Sequence, residues 1–515
     1  MDTTLRDGEQ MQNVSYTTEE KLTISKILLT EVKVDRLEIA SARVSEGEKK
    51  SVIEIVRWAQ EAQLVDRLEI LGFVDQHQSV QWAQLVGVQR INLLTKGSEK
   101  HCLTQLKKTP GQHIQEINNT LQLAADKGIE INVYLEDFSN GIKDSPDYVY
   151  RLIDALLTQT GVKRMMLPDT LGILNPFETE HYIRDIVSRY PQAHFDFHPH
   201  NDYGLGVANA LAAAQAGVRG LHATVNGMGE RAGNAPLDEV VTAIKDFLQL
   251  ELTIDDKKLY KASQYVEMFS GQRMAPNKPI YGRNVFTQTA GIHADGDKKG
   301  NLYGNRLRPE RFNRKKEYAL GKLSGKANLD LCLHDLGIEL SESKKAILLQ
   351  KIIELGDKKE VITAEDLPYL ISDIFEMPAN IPFKLLHCSI NSTYELKSVA
   401  AIQCDYAGAV KEAYAAGNGG YDAFMNALQS LLTQFDIPIP LLLDYVVTIP
   451  PGGKTDALVQ AAISWQITAE NGQPMTIITR GVNSDQNMAA IEASVKIVNI
   501  IITKNRQALT EATAS

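Results

Sequence analysis

Cysteine is scarce in this 515-residue chain: Cys102, Cys332, Cys388 and Cys404 lie far apart, with no CxxC spacing. Neither a disulfide framework nor a thiolate zinc site is expected, and a reducing cytoplasm is the default compartment. Positive charge is not in excess, since 54 Lys and Arg face 64 Asp and Glu for a net charge of -10. That balance disfavours a nucleic-acid partner, whose phosphates need a basic surface. No apolar run is long enough to span a bilayer, so no membrane partner is expected. The opening MDTTLRDGEQ is not a basic stretch followed by an apolar core, and a secretory leader is not expected. No GxGxxG or GKS loop follows an early strand-like run, which argues against a doubly wound nucleotide-binding sheet. What remains is an ordinary globular composition, 43% hydrophobic and 23% charged, suited to a small-molecule enzyme.

The length exceeds what one core usually supports, so a catalytic body plus an addition is expected. Apolar runs recur at 34 to 40, 66 to 73, 90 to 95, 130 to 137, 164 to 170, 194 to 200 and 220 to 227, with amphipathic helical sequence between them. With the opening run they make eight strand-and-helix repeats, the pattern of an α/β fold of the (β/α)8 TIM-barrel type. Only Met1 to Leu5 precedes the polar RDGEQ, so the first strand is expected to be cut short. Three segments follow from the patterning: a catalytic barrel over 1–255, helical linker subdomains over 256–380, and a duplicated α+β module over 381–515. Each half of that module offers two strand-like runs and a helix: SVAAIQCDY and AVKEAYAAG before GYDAFMNALQSLL, and ALVQAAISWQI and QPMTIITRGV before QNMAAIEASVKIVNII. Such a duplicate either binds a ligand at its seam or serves oligomerisation alone.

Polar residues stand at the C-terminal ends of the expected strands, where a barrel builds its active site: Arg6 and Asp7, Glu136, Thr170, His198 and His200. In FDFHPHND the two histidines are spaced by two, so both imidazoles project to one side of a strand and can share one metal ion, with Asp7 as a third, oxygen ligand. Two imidazoles and one carboxylate leave positions open for substrate. Glu136 can equally be a salt-bridge partner and Thr170 a helix N-cap. His101, His194, His222 and His334 show no constellation.

TTLRDGEQ (3–10), LPDTLG (167–172), HPHND (198–202), NGMGERAGN (226–234) and GIHADGD resemble the isopropylmalate, homocitrate and citramalate synthase family, and the similarity runs through the C-terminal module. The resemblance implies a divalent metal, Zn, Mn or Mg, on Asp7, His198 and His200, with Asn234 close by. It implies condensation of acetyl-CoA with a 2-keto acid: Arg6 stabilises the developing alkoxide, and His293 is the candidate base for the acetyl methyl proton, assisted by Asp295 and Tyr303. Glu136 holds the base, positions substrate or activates water. A homodimer and a C-terminal sensor of the amino-acid product are further implications, whereas a lyase on the same barrel has no evident need for such a sensor.

Substrate choice is expected from the apolar wall of Leu71, Leu94 and Tyr134, with Thr170 also at the substrate. The runs EILGFVD, LLTKG and VYLEDFSNG resemble the family members that take pyruvate more than those that take 2-ketoisovalerate. Leu71 can equally be barrel packing. In the C-terminal module Tyr421, Asp422, Leu442, Tyr445, Ile449, Thr455, Val459 and Gln486 match positions that hold isoleucine in similar enzymes. Ser484 stands where they have proline, a departure that bears on the choice between isoleucine and leucine.

Overall fold

A computed structural model describes residues 1–515 except 160, 289–294, 297–298, 301, 336–337, 358–361, 363–365, 376–381, 393, 450–458, 469–473 and 515. The chain divides into two units, Met1–Gln288 with Asn301–Glu317, and Thr289–Gly300 with Tyr318–Ser515. None of the described helices is long and apolar enough to cross a membrane.

In the first unit seven parallel strands pair in sequence order: β1 (Leu37–Ser41), β2 (Leu68–Phe73), β3 (Arg90–Lys96), β4 (Glu130–Glu136), β5 (Val162–Asp169), β6 (Phe195–Pro199) and β7 (Gly220–Leu221). These coincide with the seven runs expected after the opening one. Helices between them start where capping chemistry asks for it. Thr17 with Glu20, Thr109 with Gln112 and Asn175 with Glu178 form reciprocal capping boxes, the last two with proline in the first turn. Helix Asp256–Ser270 contributes Leu259 and Val266 to the same core, so the barrel's packing extends past residue 255.

The opening run is a strand of minimal length. Asp2 makes parallel bridges to both Leu37 and Ala223. Its N–H donates to Arg36 O (2.9 Å) and its carbonyl accepts from Glu38 N (2.9 Å), while Thr3 N donates to Ala223 O at 3.0 Å. One residue therefore joins the first and last strands and closes the barrel. The Asp2 carboxylate then accepts from Thr4 N and Thr4 Oγ1, and Thr4 Oγ1 accepts from Val225 N at 2.8 Å. Thr3 O accepts from the N–H groups of Arg6, Asp7 and Gly8. The short strand thus runs straight into a tight turn that presents Arg6 and Asp7.

Every second residue of the strands faces the barrel interior, and its lower layer is charged. Arg6 Nε donates to Glu38 (2.5 Å), Asn92 to Glu38 (2.7 Å), and Asn132 to Asn92 (2.8 Å) and to Glu69 (3.4 Å). Arg164 pairs with Glu69, and Arg36 with Asp196 at 2.8 Å. Apart from Asn132 to Asn92, which links the neighbours β4 and β3, the strand-to-strand bonds join strands that are not adjacent in the sheet, such as β1 to β3 and β2 to β5, so they span the interior. Glu38, Glu69, Asn92, Asn132 and Asp196 have no solvent exposure. Gly220 is required here, because a Cβ would lie 2.1 Å from Asp196 Oδ1.

In the second unit, helices Lys326–Asp335, Glu342–Asp357 and Leu367–Phe375 share a small core built on Leu329, Leu348, Ile352 and Leu367. The duplicated module is two three-stranded antiparallel sheets, β8 (Phe383–Asn391), β9 (Ser398–Tyr406) and β10 (Ala409–Gly417), then β11 (Leu441–Thr448), β12 (Val459–Thr468) and β13 (Pro474–Asn483). Each sheet is followed by a helix, Gly420–Gln434 and Gln486–Ala514. The leading strand of each half, β8 and β11, was not expected. β11 is largely exposed and lacks the apolar alternation of a half-buried strand, whereas β8 packs Phe383, Leu385, Cys388 and Ile390 on the core but changes register between Leu385 and His387, which breaks its period of two.

Removing one charge from the interior ring leaves its partners buried and unpaired, a loss of about 3–5 kcal/mol for such pairs. Glu69→Gln, which deprives Arg164 of its carboxylate, is expected to lower the unfolding free energy of the full chain by that order in a urea titration. Unchanged stability would show that the ring is not a structural element.

Candidate active site

Asp7, His198 and His200 meet at the mouth, their candidate ligand atoms all within 4.8 Å of one another. His198 Nε2 lies 3.2 Å and His200 Nε2 3.9 Å from Asp7 Oδ2, and the two Nε2 atoms are 3.4 Å apart. The histidines arrive together because β6 continues through Pro199 to His200, where it bridges antiparallel to Asn234. Asn234 belongs to the glycine-rich loop NGMGERAGN, which folds back on itself so tightly that a Cβ on Gly233 would lie 1.9 Å from Gly227 O. Gly233 has φ +78°, a backbone conformation that glycine adopts without strain.

The electrostatics fit a cation. Burial works to raise the Asp7 carboxyl, but Arg6 and the two imidazoles outweigh it and hold the group well below the carboxylate range. Burial, with His198 next to it, brings His200 down to about 4, so its ring is neutral and its lone pair free near neutral pH. Among the described residues, Asp7 Oδ2, Asn234 Oδ1 and the Nδ1 atoms of both histidines are buried without a hydrogen bond. Buried polar atoms without partners are costly, and a divalent ion where Asp7 Oδ2 and the two Nε2 atoms converge would satisfy the carboxylate oxygen. The donor set by itself does not select among Zn, Mn and Mg.

Arg6 sits beside the ligands, its NH1 3.0 Å from Asp7 and its Nε on Glu38. Burial alone would weaken its charge, but Glu38 and Asp7 reverse that and keep the guanidinium firmly protonated. Leu71, Tyr134 and Met166 form a small apolar cluster separate from the barrel core, with Leu94 and Met1 against it. Leu71 is therefore not part of the main packing. Tyr134 and Leu94 are partners in the β3–β4 register, and Tyr134 pairs with Met166 on β5. Two strand positions above Tyr134, Glu136 forms an ion pair with Lys96, whose backbone is held by His113 Nε2 (3.1 Å) and by the Tyr148 hydroxyl (2.9 Å). The salt-bridge reading of Glu136 is thus realised at the mouth itself. Thr170 Oγ1 accepts from Asp137 N (2.8 Å), and the cap of the next helix is Asn175, so Thr170 is not that helix's N-cap.

His293 lies outside the described residues. Asp295 pairs with Lys299 at 2.6 Å, and Tyr303 is half-exposed in a turn. In the C-terminal module Tyr421 and Tyr445 come together with ring centroids 5.0 Å apart, and the Tyr421 hydroxyl is 2.8 Å from Ser494 Oγ. Asp422 accepts from Asn418 N. Leu442 and Ile449 are exposed at either end of β11, Val459 is buried at the start of β12, and Gln486 opens the last helix. Thr455 lies outside the described residues.

His222 shows no constellation in the sequence, yet its buried ring stands edge-on to both Tyr134 and His198. Its Nδ1 is 3.0 Å from the Tyr134 hydroxyl and its Nε2 3.2 Å from Asp196. Burial holds it well below the histidine range. Part of the pattern is legible in the sequence: Asn92, Asn132 and Asp196 are polar residues two positions before Leu94, Tyr134 and His198, and Glu38 and His222 likewise interrupt apolar runs. His101 likewise has a partner, Asp137, at 3.4 Å.

Residues 1–266 match the HMGL-like family, 280–360 the homocitrate synthase post-HMGL domain-like family, and 361–502 the LeuA allosteric (dimerisation) domain. Two relatives named "Putative (R)-citramalate synthase CimA" are 30% identical: that of Methanopyrus kandleri over 98% of this chain and 96% of its own length, and that of Methanosarcina acetivorans over 97% and 99%. A 2-isopropylmalate synthase of Nitratidesulfovibrio vulgaris is 31% identical over 98% of this chain and 97% of its own length. Among solved structures, an HMG-CoA lyase of Bacillus subtilis is similar at 20% identity, covering 53% of this chain and 93% of its own, with a TM-score of 0.43. The chain belongs to the HMGL-like family and, within it, to the citramalate and 2-isopropylmalate synthases.

Proposed function

We propose that the protein is an acyltransferase that condenses acetyl-CoA with pyruvate to give (R)-citramalate and CoA. The observation that carries this reading is the apolar cluster of Leu71, Leu94, Tyr134 and Met166, whose Tyr134 reaches Arg6 with its hydroxyl and stands edge-on to the triad's His198, so that bulky apolar groups flank the place of a substrate side chain. A divalent cation held by Asp7, His198 and His200, with Asn234 beside them, supplies Lewis-acid polarisation of a keto carbonyl. Arg6 stabilises the negative charge that develops on the keto oxygen as the carbon–carbon bond forms. His293 takes the acetyl methyl proton, with Asp295 and Tyr303 assisting, and Glu136, fixed by Lys96, positions substrate or the water that cleaves the thioester. Bond making at the methyl carbon and hydrolysis of the thioester account for the carboxylate product and free CoA.

The full-length relative named 2-isopropylmalate synthase supports a second substrate, 2-ketoisovalerate. One or two methyl groups in an apolar pocket discriminate by about 1–3 kcal/mol, so wild-type protein is expected to prefer pyruvate by about tenfold or more in kcat/KM. Steady-state kinetics with pyruvate, 2-oxobutanoate and 2-ketoisovalerate, following CoA release, decide this. Preference for the branched acid would replace the pyruvate reading.

Within the same reading, the C-terminal module is a dimerising sensor of isoleucine, built around Tyr421, Asp422, Leu442, Tyr445, Ile449, Thr455, Val459 and Gln486. The Tyr421–Tyr445 contact and the match to a LeuA allosteric (dimerisation) domain support it. His198→Ala is expected to lose bound metal by atomic absorption and to lose turnover with it; metal retained at wild-type stoichiometry would contradict the ligand assignment. Tyr421→Ala is expected to raise the isoleucine concentration for half-inhibition at least tenfold with uninhibited kcat within twofold of wild type, and an unchanged inhibition curve would remove Tyr421 from the effector site.

A further inference from the structure

Tyr134 is the one member of the apolar cage with a polar end, and that end is held at a definite point. Its hydroxyl is 3.0 Å from His222 Nδ1 and receives a longer contact, 3.4 Å, from Arg6 NH2. The bond directions follow from the groups involved. Asp196 is also bound by Arg36 at 2.8 Å and by His194 at 2.9 Å, so its carboxylate accepts. His222 Nε2 therefore donates to Asp196 at 3.2 Å, which leaves Nδ1 to accept the Tyr134 proton. Arg6, Tyr134, His222 and Asp196 form one directed chain, each donating to the next.

We propose that His222 is a positioning residue for substrate selection: by accepting the Tyr134 hydroxyl and anchoring itself on Asp196, it clamps the tyrosine ring across the cage and sets how large a side chain the 2-keto acid can carry. This rests on the 2-keto acid reading given above. The clamp is strong enough for the task. A buried hydroxyl that loses its partner is heavily penalised, so the ring stays where His222 receives it. One methylene in an apolar pocket changes discrimination by only about 10- to 200-fold, and a ring released to swing aside surrenders an effect of that size.

The test uses full-length protein with its metal content measured, and compares wild type with Tyr134→Phe, His222→Leu and the double variant. The readouts are kcat/KM for pyruvate, 2-oxobutanoate and 2-ketoisovalerate, and the Kd of pyruvate and 2-ketoisovalerate by calorimetry without acetyl-CoA. Each single variant is expected to narrow the pyruvate-to-2-ketoisovalerate ratio by about tenfold in both readouts, with the double variant no further changed than either. Tyr134→Phe keeps the ring and removes only the anchored hydroxyl, so it carries the test even where His222→Leu fails to fold. Ratios within twofold of wild type in Tyr134→Phe, whether or not turnover falls equally on all three acids, would overturn the clamp. A wild type that prefers the branched acid sinks the pyruvate reading alone, because the clamp is scored by the change between wild type and variant.

Discussion

The arrangement of the catalytic unit depends on one residue pairing with two strands at once. Asp2 bridges β1 and the run following β7, which closes the sheet, and its carboxylate then turns the chain through Thr4 so that Arg6 and Asp7 emerge beside the histidines of β6. A barrel brings residues distant in sequence to one rim only when its edges meet. Without that closure His198 and His200 would still share a strand end, but the carboxylate that completes the triad would have no defined place.

Charge is the second organising theme, and it is treated in two ways. Below the mouth, Glu38, Glu69 and Asp196 are matched by Arg6, Arg164 and Arg36, so buried ions find partners within the protein. At the mouth, Asp7, Asn234 and the two imidazoles leave polar atoms without protein hydrogen bonds among the described residues, the condition expected of atoms kept for a ligand. Arg6 belongs to both layers: it is held from below by Glu38 and faces the Asp7 carboxylate above. The interior ring thereby orients the guanidinium that the proposed chemistry uses, as outer hydrogen-bond partners commonly do for metal sites.

The two units show different degrees of legibility. In the barrel, strand positions could be read because strands such as β1, β4 and β6 are buried on both faces and stand out as apolar runs between helices. In the C-terminal module the sequence pattern shows the two later strands of each half and both helices, but not β8 and β11. Exposed apolar residues on β11, such as Leu441, Leu443 and Val446, give a continuous run without the period-two contrast by which a strand is recognised.

Local sequence by itself determined the eight repeats, the HPH spacing that places two imidazoles on one side of a strand, and the polar residues at strand ends. These depend only on periods of two and of 3.6 residues along the chain. Tertiary structure alone decided that Glu136 pairs with Lys96, that Thr170 supports Asp137, that Leu71 leaves the core to join Tyr134 and Met166, and that His222 stands behind Tyr134. Those partners are between 33 and 88 residues apart where they hydrogen-bond, and no pattern within one segment encodes them. They are set by strand tilt, register and closure, which fix distances between segments only after the whole barrel has formed.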